Sequence, residues 1–235
     1  MRIFKTAVTC FAIILLIWGC NRSENIKLPD HSVFFPIEEN RIQKFYIKSI
    51  TIDRPMNYYD TLEYYISIEP DSIYINSNML IGEYTVFRGN SIATTTMPDN
   101  RLIRELAAPA GMYVENIDNC RKVKCRLPVI AGNYWNPGIY CSESDTVPNS
   151  VIKNIKTLFT LNDKLFDSVV HIVNHYDSSL INLNIEQEFW AAHHGLIYKE
   201  ITNISSNDAG DLDPTIPIRE RIRIGTIVEI FQVFE

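Results

Sequence analysis

No stretch of this chain stays apolar for the ~20 residues that a helix needs to cross a bilayer. Its longest apolar run, Ala7 to Trp18, is twelve residues and includes Thr9 and Cys10. Arg2 and Lys5 precede or enter it and no acid accompanies them, the pattern of a secretory signal rather than a membrane span. Basic charge is scarce as well. With residues 1–19 set aside, 20 Lys and Arg face 28 Asp and Glu, a net charge near −8. That balance argues against nucleic acid and anionic headgroups as partners, since both need a positive footprint.

Cysteine is sparse and its spacing is uninformative for metal. The five residues include no C-x-x-C pair, so no metal site is expected from them. Cys10 falls inside the signal and Cys20 at its end, leaving Cys120, Cys125 and Cys141. Three is odd, so at least one thiol is free or pairs with another chain. Cys120 and Cys125 are five apart and would face opposite sides of one regular strand. The expected disulfide is Cys125 with Cys141, across the turn-rich segment Gly132 to Gly138. A nucleophile elbow, G-x-S-x-G, is also missing. No catalytic residue and no cofactor is therefore expected, and the chain reads as a non-enzyme.

What is there begins with an address. Ile17-Trp18-Gly19-Cys20 places an aliphatic residue three before a cysteine and a small one just before it, similar to a bacterial lipobox. Cleavage before Cys20 and acylation of its thiol are expected, with the membrane as partner through that lipid. Asn21 follows the cysteine where inner-membrane retention uses aspartate, which points to the outer membrane or cell surface. Residues 20–30 read as a polar tether and 31–235 as one β-rich domain.

Period-2 patterns dominate that domain. Leu62, Tyr64, Ile66 and Ile68 alternate with polar neighbours, as do Ile181, Leu183, Ile185 and Phe189. Near the end, Ile218, Ile222, Ile224, Val228 and Ile230 oppose Arg219, Arg221 and Arg223. Further strands are expected near 42–53, 73–76, 83–88, 112–117, 123–129, 166–176 and 195–204. The one helix candidate is 98–108, capped by Asp99/Asn100, with Leu102, Ile103 and Leu106 on one side, and a strand is the near-equal alternative there. The fold class is all-β: a single antiparallel sandwich or open, clam-like barrel of roughly nine to eleven strands.

Several constellations invite chemistry. His171 and His175, four apart in a strand, would share a face, and His193, His194 or Glu186 would be needed to complete a metal site; ordinary strand histidines are the plainer expectation. His193-His194-Gly195 reads as a turn. Asn207 to Pro214 bunches three carboxylates but misses the EF-hand spacing, so a solvated loop is expected. Arg219, Arg221 and Arg223 form a basic stripe for an anionic group or, more simply, for cross-strand pairing with Glu186 and Glu188. Thr61, Ser72, Thr146 and Ser168 each follow Asp and precede an aliphatic residue, similar to the O-glycan acceptor pattern of Bacteroidota secretory proteins.

Three phrases resemble an uncharacterised family of Bacteroidota cell-envelope lipoproteins. Phe34-Phe35-Pro36-Ile37 with Arg41 to Tyr46 is similar to its opening FPLxxGxxxxY. Arg126 to Asn136 resembles LxFPVxxGxxWN, and Phe166-Asp167-Ser168-Val169 through Phe189 to Glu200 resembles FDSV…VYAxGVGLVYKE. Glu38-Glu39-Asn40 departs from the family's glycine turn, and His193-His194 from its turn residues. The resemblance implies a β-rich envelope lipoprotein and brings no catalytic residues. The expected role is a binding or scaffold module for a glycan, peptide or envelope protein. A carrier of an apolar ligand in a curved-sheet cavity is the first alternative, and an envelope hydrolase the second.

Overall fold

The computed structural model describes residues 31–107, 111–117, 119–141, 148–206 and 215–234. Among them are fourteen strands: β1 Gln43–Asp53, β2 Tyr58–Asn76, β3 Met79–Gly89, β4 Met97–Ala107, β5 Met112–Ile117, β6 Cys120–Arg126, β7 Tyr134–Trp135, β8 Ser150–Lys156, β9 Phe159–Leu161, β10 Lys164–Phe166, β11 Val169–Ser178, β12 Asn182–Ala191, β13 Gly195–Ser205 and β14 Ile224–Val233. Twelve form one antiparallel sheet in the order β6-β5-β4-β3-β2-β1-β14-β13-β12-β11-β8-β7. The first and last strands thus pair in its middle, and its two free edges, β6 and β7, are neighbours in sequence.

The sheet coils until those edges nearly meet. Trp135 Nε1 donates to the Val123 carbonyl at 2.7 Å, and Val123 N–H donates to the Pro137 carbonyl at 2.9 Å. The result is an open barrel nearly closed along this seam, which removes most of the edge exposure that makes sheets associate. The β9–β10 hairpin lies outside it, covering Val169, Phe189 and Ile197 with Phe159, Leu161 and Phe166.

Antiparallel partners share a face, so register assigns the interior. Phe45, Ile68, Tyr84 and Leu102 pack together there, and Leu62, Tyr64, Ile66 and Ile68 lie on this side as their alternation predicts. The chain enters at His31, and Phe34, Phe35 and Ile37 plug the nearer end of the barrel. Phe35 stacks on Tyr113 at 4.6 Å and lies 5.0 Å from Trp190. His193 N–H donates to the Val33 carbonyl at 2.8 Å, and Val129 N–H donates to His31 Nδ1 at 3.0 Å. All three phrases that carry the family resemblance meet here, through Phe34 and Phe35, Val129 and Trp135, and Trp190. At Gly195 φ is +80°, and a Cβ would lie 2.8 Å from Gln43 Nε2, so this turn tolerates little but glycine.

Two expectations about elements are corrected. Residues 97–107 form strand β4, not a helix, between β3 and β5. Its inward positions are Leu102, Arg104 and Leu106, and the arginine among them hides the period-2 signal. Residues 218–220 form a 3-10 turn, so Arg219, Arg221 and Arg223 precede the last strand instead of striping it. The signal, the tether, Thr146 and the 207–214 acidic loop lie outside the described residues.

Candidate functional site: a charged cavity at the seam

The cavity forms because an interior face of the sheet is charged where β6 meets β11, β12 and β13. Glu115 and Ile117 from β5, Lys122 and Lys124 from β6, His175 from β11, Glu186 from β12 and Lys199 from β13 line a space of about 480 Å³. Cys120, Cys141, Pro137 and Pro148 complete an apolar rim. Ile117 and Cys120 flank the β5–β6 turn, which lies at the barrel end opposite the Phe34/Phe35 plug.

At the back stands Glu188, with none of its surface exposed. Lys124 Nζ donates to Glu188 Oε1, and Lys199 Nζ donates to the same oxygen at 3.1 Å. Trp190 Nε1 donates to Oε2 at 3.0 Å. Burial raises the carboxyl's pKa, but the two ammonium groups outweigh it and hold Glu188 at about 2. Lys199 is pushed the other way. Burial disfavours its charge, while Glu188 and Glu186 outweigh burial and raise it above the ordinary lysine value. Lys199 Nζ also donates to Glu186 Oε1 at 2.7 Å. A second buried cation stands nearby: Arg104 donates to Glu115 at 3.2 Å and to Gln43 Oε1 at 2.5 Å.

The disulfide is corrected. Cys120 pairs with Cys141, with Cα atoms 5.4 Å apart, and Cys125 is a buried free thiol. A bulge between the Tyr113–Cys125 and Val114–Val123 pairs turns Cys125 into the core. There burial, with Glu188 adding to it, raises the thiol's pKa well above its ordinary value. Spacing alone cannot show a bulge, which here brings Cys120 and Cys125 to the same side of β6; Cys141 meets Cys120 at the strand's start, where its Sγ also lies 3.3 Å from the Arg121 carbonyl.

The histidine expectation is corrected for the same reason. A bulge between Val173 and His175 separates the two rings. His171 lies outside, stacked 4.3 Å from Phe189 and hydrogen-bonded to Gln187 at 2.8 Å. Burial lowers its pKa, and Lys156 and Lys153 add to that. His175 lines the cavity opposite Glu186. His193 and His194 occupy the β12–β13 turn, with His194 Nδ1 2.9 Å from the Ala192 carbonyl. Among the described residues no group of three or more His, Cys, Asp or Glu is placed to hold a metal. Arg219 donates to Glu200, not to Glu186 or Glu188, and Arg221 to Ser206 Oγ at 3.0 Å and the Leu180 carbonyl at 2.7 Å. Thr61 and Ser72 are exposed on strand β2, whereas Ser168 is half-buried beside the β10–β11 junction. Sequence reasoning missed Lys122, Lys124, Lys199 and Glu115, which read as ordinary surface charges in alternating strands.

Fold and site therefore define an all-β, nearly closed antiparallel barrel, plugged at one end and holding a charged cavity toward the other. The chain matches no known protein family and no curated protein. It is similar in shape to a solved protein from Bacteroides fragilis described as exported with a YmcC-like fold, at 8% identity and TM-score 0.44, over 85% of this chain and 96% of that one. It is also similar to a protein of Parabacteroides distasonis described as a lipoprotein, at 9% identity and TM-score 0.40, over 88% and 98%.

Proposed function

We propose that this chain is a lipid-anchored, non-enzymatic protein of the bacterial cell envelope, a binding module whose site is the seam cavity. One observation carries the reading: the barrel keeps an open, charged space of about 480 Å³ at one end while packing the other solid. That volume falls within the range of small-molecule sites, ~300–1,000 Å³. Its lining sets lysine, glutamate and histidine beside an apolar wall of Ile117, Pro137, Pro148 and the disulfide, so it suits an occupant with a charged group on a compact body better than a wholly apolar cargo. His175 and Glu186 do stand opposite each other, as a hydrolase would want. Among the described residues no Ser, Thr or free Cys joins them in the lining, and acyl transfer needs a nucleophile within reach.

His31, the first described residue, lies at the plugged end, so in this reading the plug is the membrane side and the cavity mouth faces away from it. Membrane fractionation and intact mass of wild type and Cys20→Ala test the anchor. Wild type is expected as a chain starting at residue 20 with acyl mass, in the membrane fraction. Loss of both in the variant supports the reading, and an unmodified wild type retaining Met1 overturns it.

A further inference from the structure

We infer that the seam cavity recognises a small organic oxyanion, a molecule carrying a carboxylate or phosphate on a compact body. This rests on the binding-module reading and names the class of ligand. The argument is a count of partners. Among the described residues two carboxylates line the cavity and a third, Glu188, stands behind it, and each is already answered by a cation: Glu115 by Arg104, Glu186 by Lys199, and Glu188 by Lys124 and Lys199. Three lysines among the described residues line the same space, Lys122, Lys124 and Lys199, and Arg104 reaches Glu115 from beside it. Among the described residues the one left over is Lys122, which lies on the cavity wall and has no ion pair or hydrogen bond to any of them.

The unused hydrogen-bonding groups point the same way. Asn174 has its Oδ1 occupied by Ser150 Oγ at 2.8 Å, which leaves its amide N–H groups for the cavity it lines. His175 lines the same wall, and neither of its ring nitrogens is engaged by a described residue. An ammonium, an amide donor and an imidazole without partners form a donor set, and charge-assisted bonds to an oxyanion are what such a set makes best. The chain as a whole is acidic, with formal net charge −6, so a surplus cation in a recess is a local exception. Ile117, Pro137, Pro148 and the Cys120–Cys141 disulfide give the ligand's body an apolar wall.

The test is calorimetric titration of the full lipid-bearing chain, in detergent, with three sugars that share one body: glucuronate, glucose 6-phosphate and glucose. Binding of either anionic sugar at least about tenfold tighter than glucose is expected. Which of the two binds identifies carboxylate or phosphate as the source. Lys122→Met is expected to weaken that binding about tenfold or more, and Lys122→Arg to restore most of it. Both changes sit on an exposed side chain and leave the melting temperature unmoved, which separates recognition from folding. Equal binding of glucose overturns the oxyanion inference and leaves the binding-module reading standing. Failure of both anionic sugars to bind at millimolar concentration overturns it, as does undiminished binding by Lys122→Met.

Discussion

Glu188 shows how a buried charge is kept in this barrel. Two ammonium groups and an indole N–H satisfy it, and the cost of desolvation is offset only while all three stay in place. Glu188→Gln leaves Lys124 and Lys199 facing a neutral amide in a largely buried site. Urea unfolding of this variant is expected to show a loss of about 3–5 kcal/mol, the range for breaking a buried pair. The pH dependence follows from the depressed carboxyl. A group held at about 2 against an ordinary 4.5 stabilises the fold above pH ~4.5, and that stability drains away as pH falls toward 2. The amount at stake is on the order of 3 kcal/mol. Lys199 acts in the opposite sense, since its raised pKa stabilises the fold below the ordinary lysine value and is lost only at higher, strongly alkaline pH. Stability measured from pH 7 down to pH 2 should fall between about 4.5 and 2 in wild type and be flatter there in Glu188→Gln. Cys125 gives a second residue-scale expectation. Its buried, protonated thiol should react with Ellman's reagent only once the protein unfolds, because the thiolate is the reactive form. Rapid labelling of the native protein counts against its burial.

Among the elements, the seam is where the fold is most exposed to chemistry. Strand β7 is two residues long and is held to β6 by Trp135, Pro137 and the Cys120–Cys141 bond. That bond closes a segment of 21 residues, for which chain entropy assigns about 3 kcal/mol. Cys120→Ser with Cys141→Ser is expected to lower unfolding free energy by about that amount in a denaturant titration. An unchanged value would mean that the hydrogen bonds alone hold the edge. Most strands were legible from alternation: Met112–Ile117 is β5 as expected, and the expected strands over 42–53 and 195–204 correspond closely to β1 and β13. Strand β4 was not, because Arg104 occupies an inward position where an apolar residue carries the signal. The short β7, β9 and β10 lack the length for any period to show. The bulges at Lys124 and Asn174 were invisible for a deeper reason. A one-residue insertion in pairing is set by the partner strand, and it reverses the facing of every residue beyond it.

At the scale of the whole molecule, the two ends of the barrel differ in kind. The end holding Phe34 and Phe35 is plugged by aromatic residues and the far end holds the cavity, so the proposed N-terminal lipid would leave the mouth facing outward. Fluorophores placed through Ile75→Cys, near the entry end, and Met56→Cys, at the far end, test this on the lipid-bearing chain bound to vesicles. Nitroxide-labelled lipid should quench the first more strongly; equal quenching removes the orientation. The sequence by itself determined the all-β class, the inward face of several strands and the expectation of a lipid address, because these depend on local period and short motifs. The family phrases marked residues that build the plug, an arrangement they could not disclose. Tertiary structure alone decided the pairing of Cys120 with Cys141, the parting of His171 from His175, and the gathering of Lys122, Lys124, Lys199, Glu115 and Glu186 around one space. Those outcomes depend on strand register and on how far the sheet coils, and both arise from contacts between residues far apart in the chain.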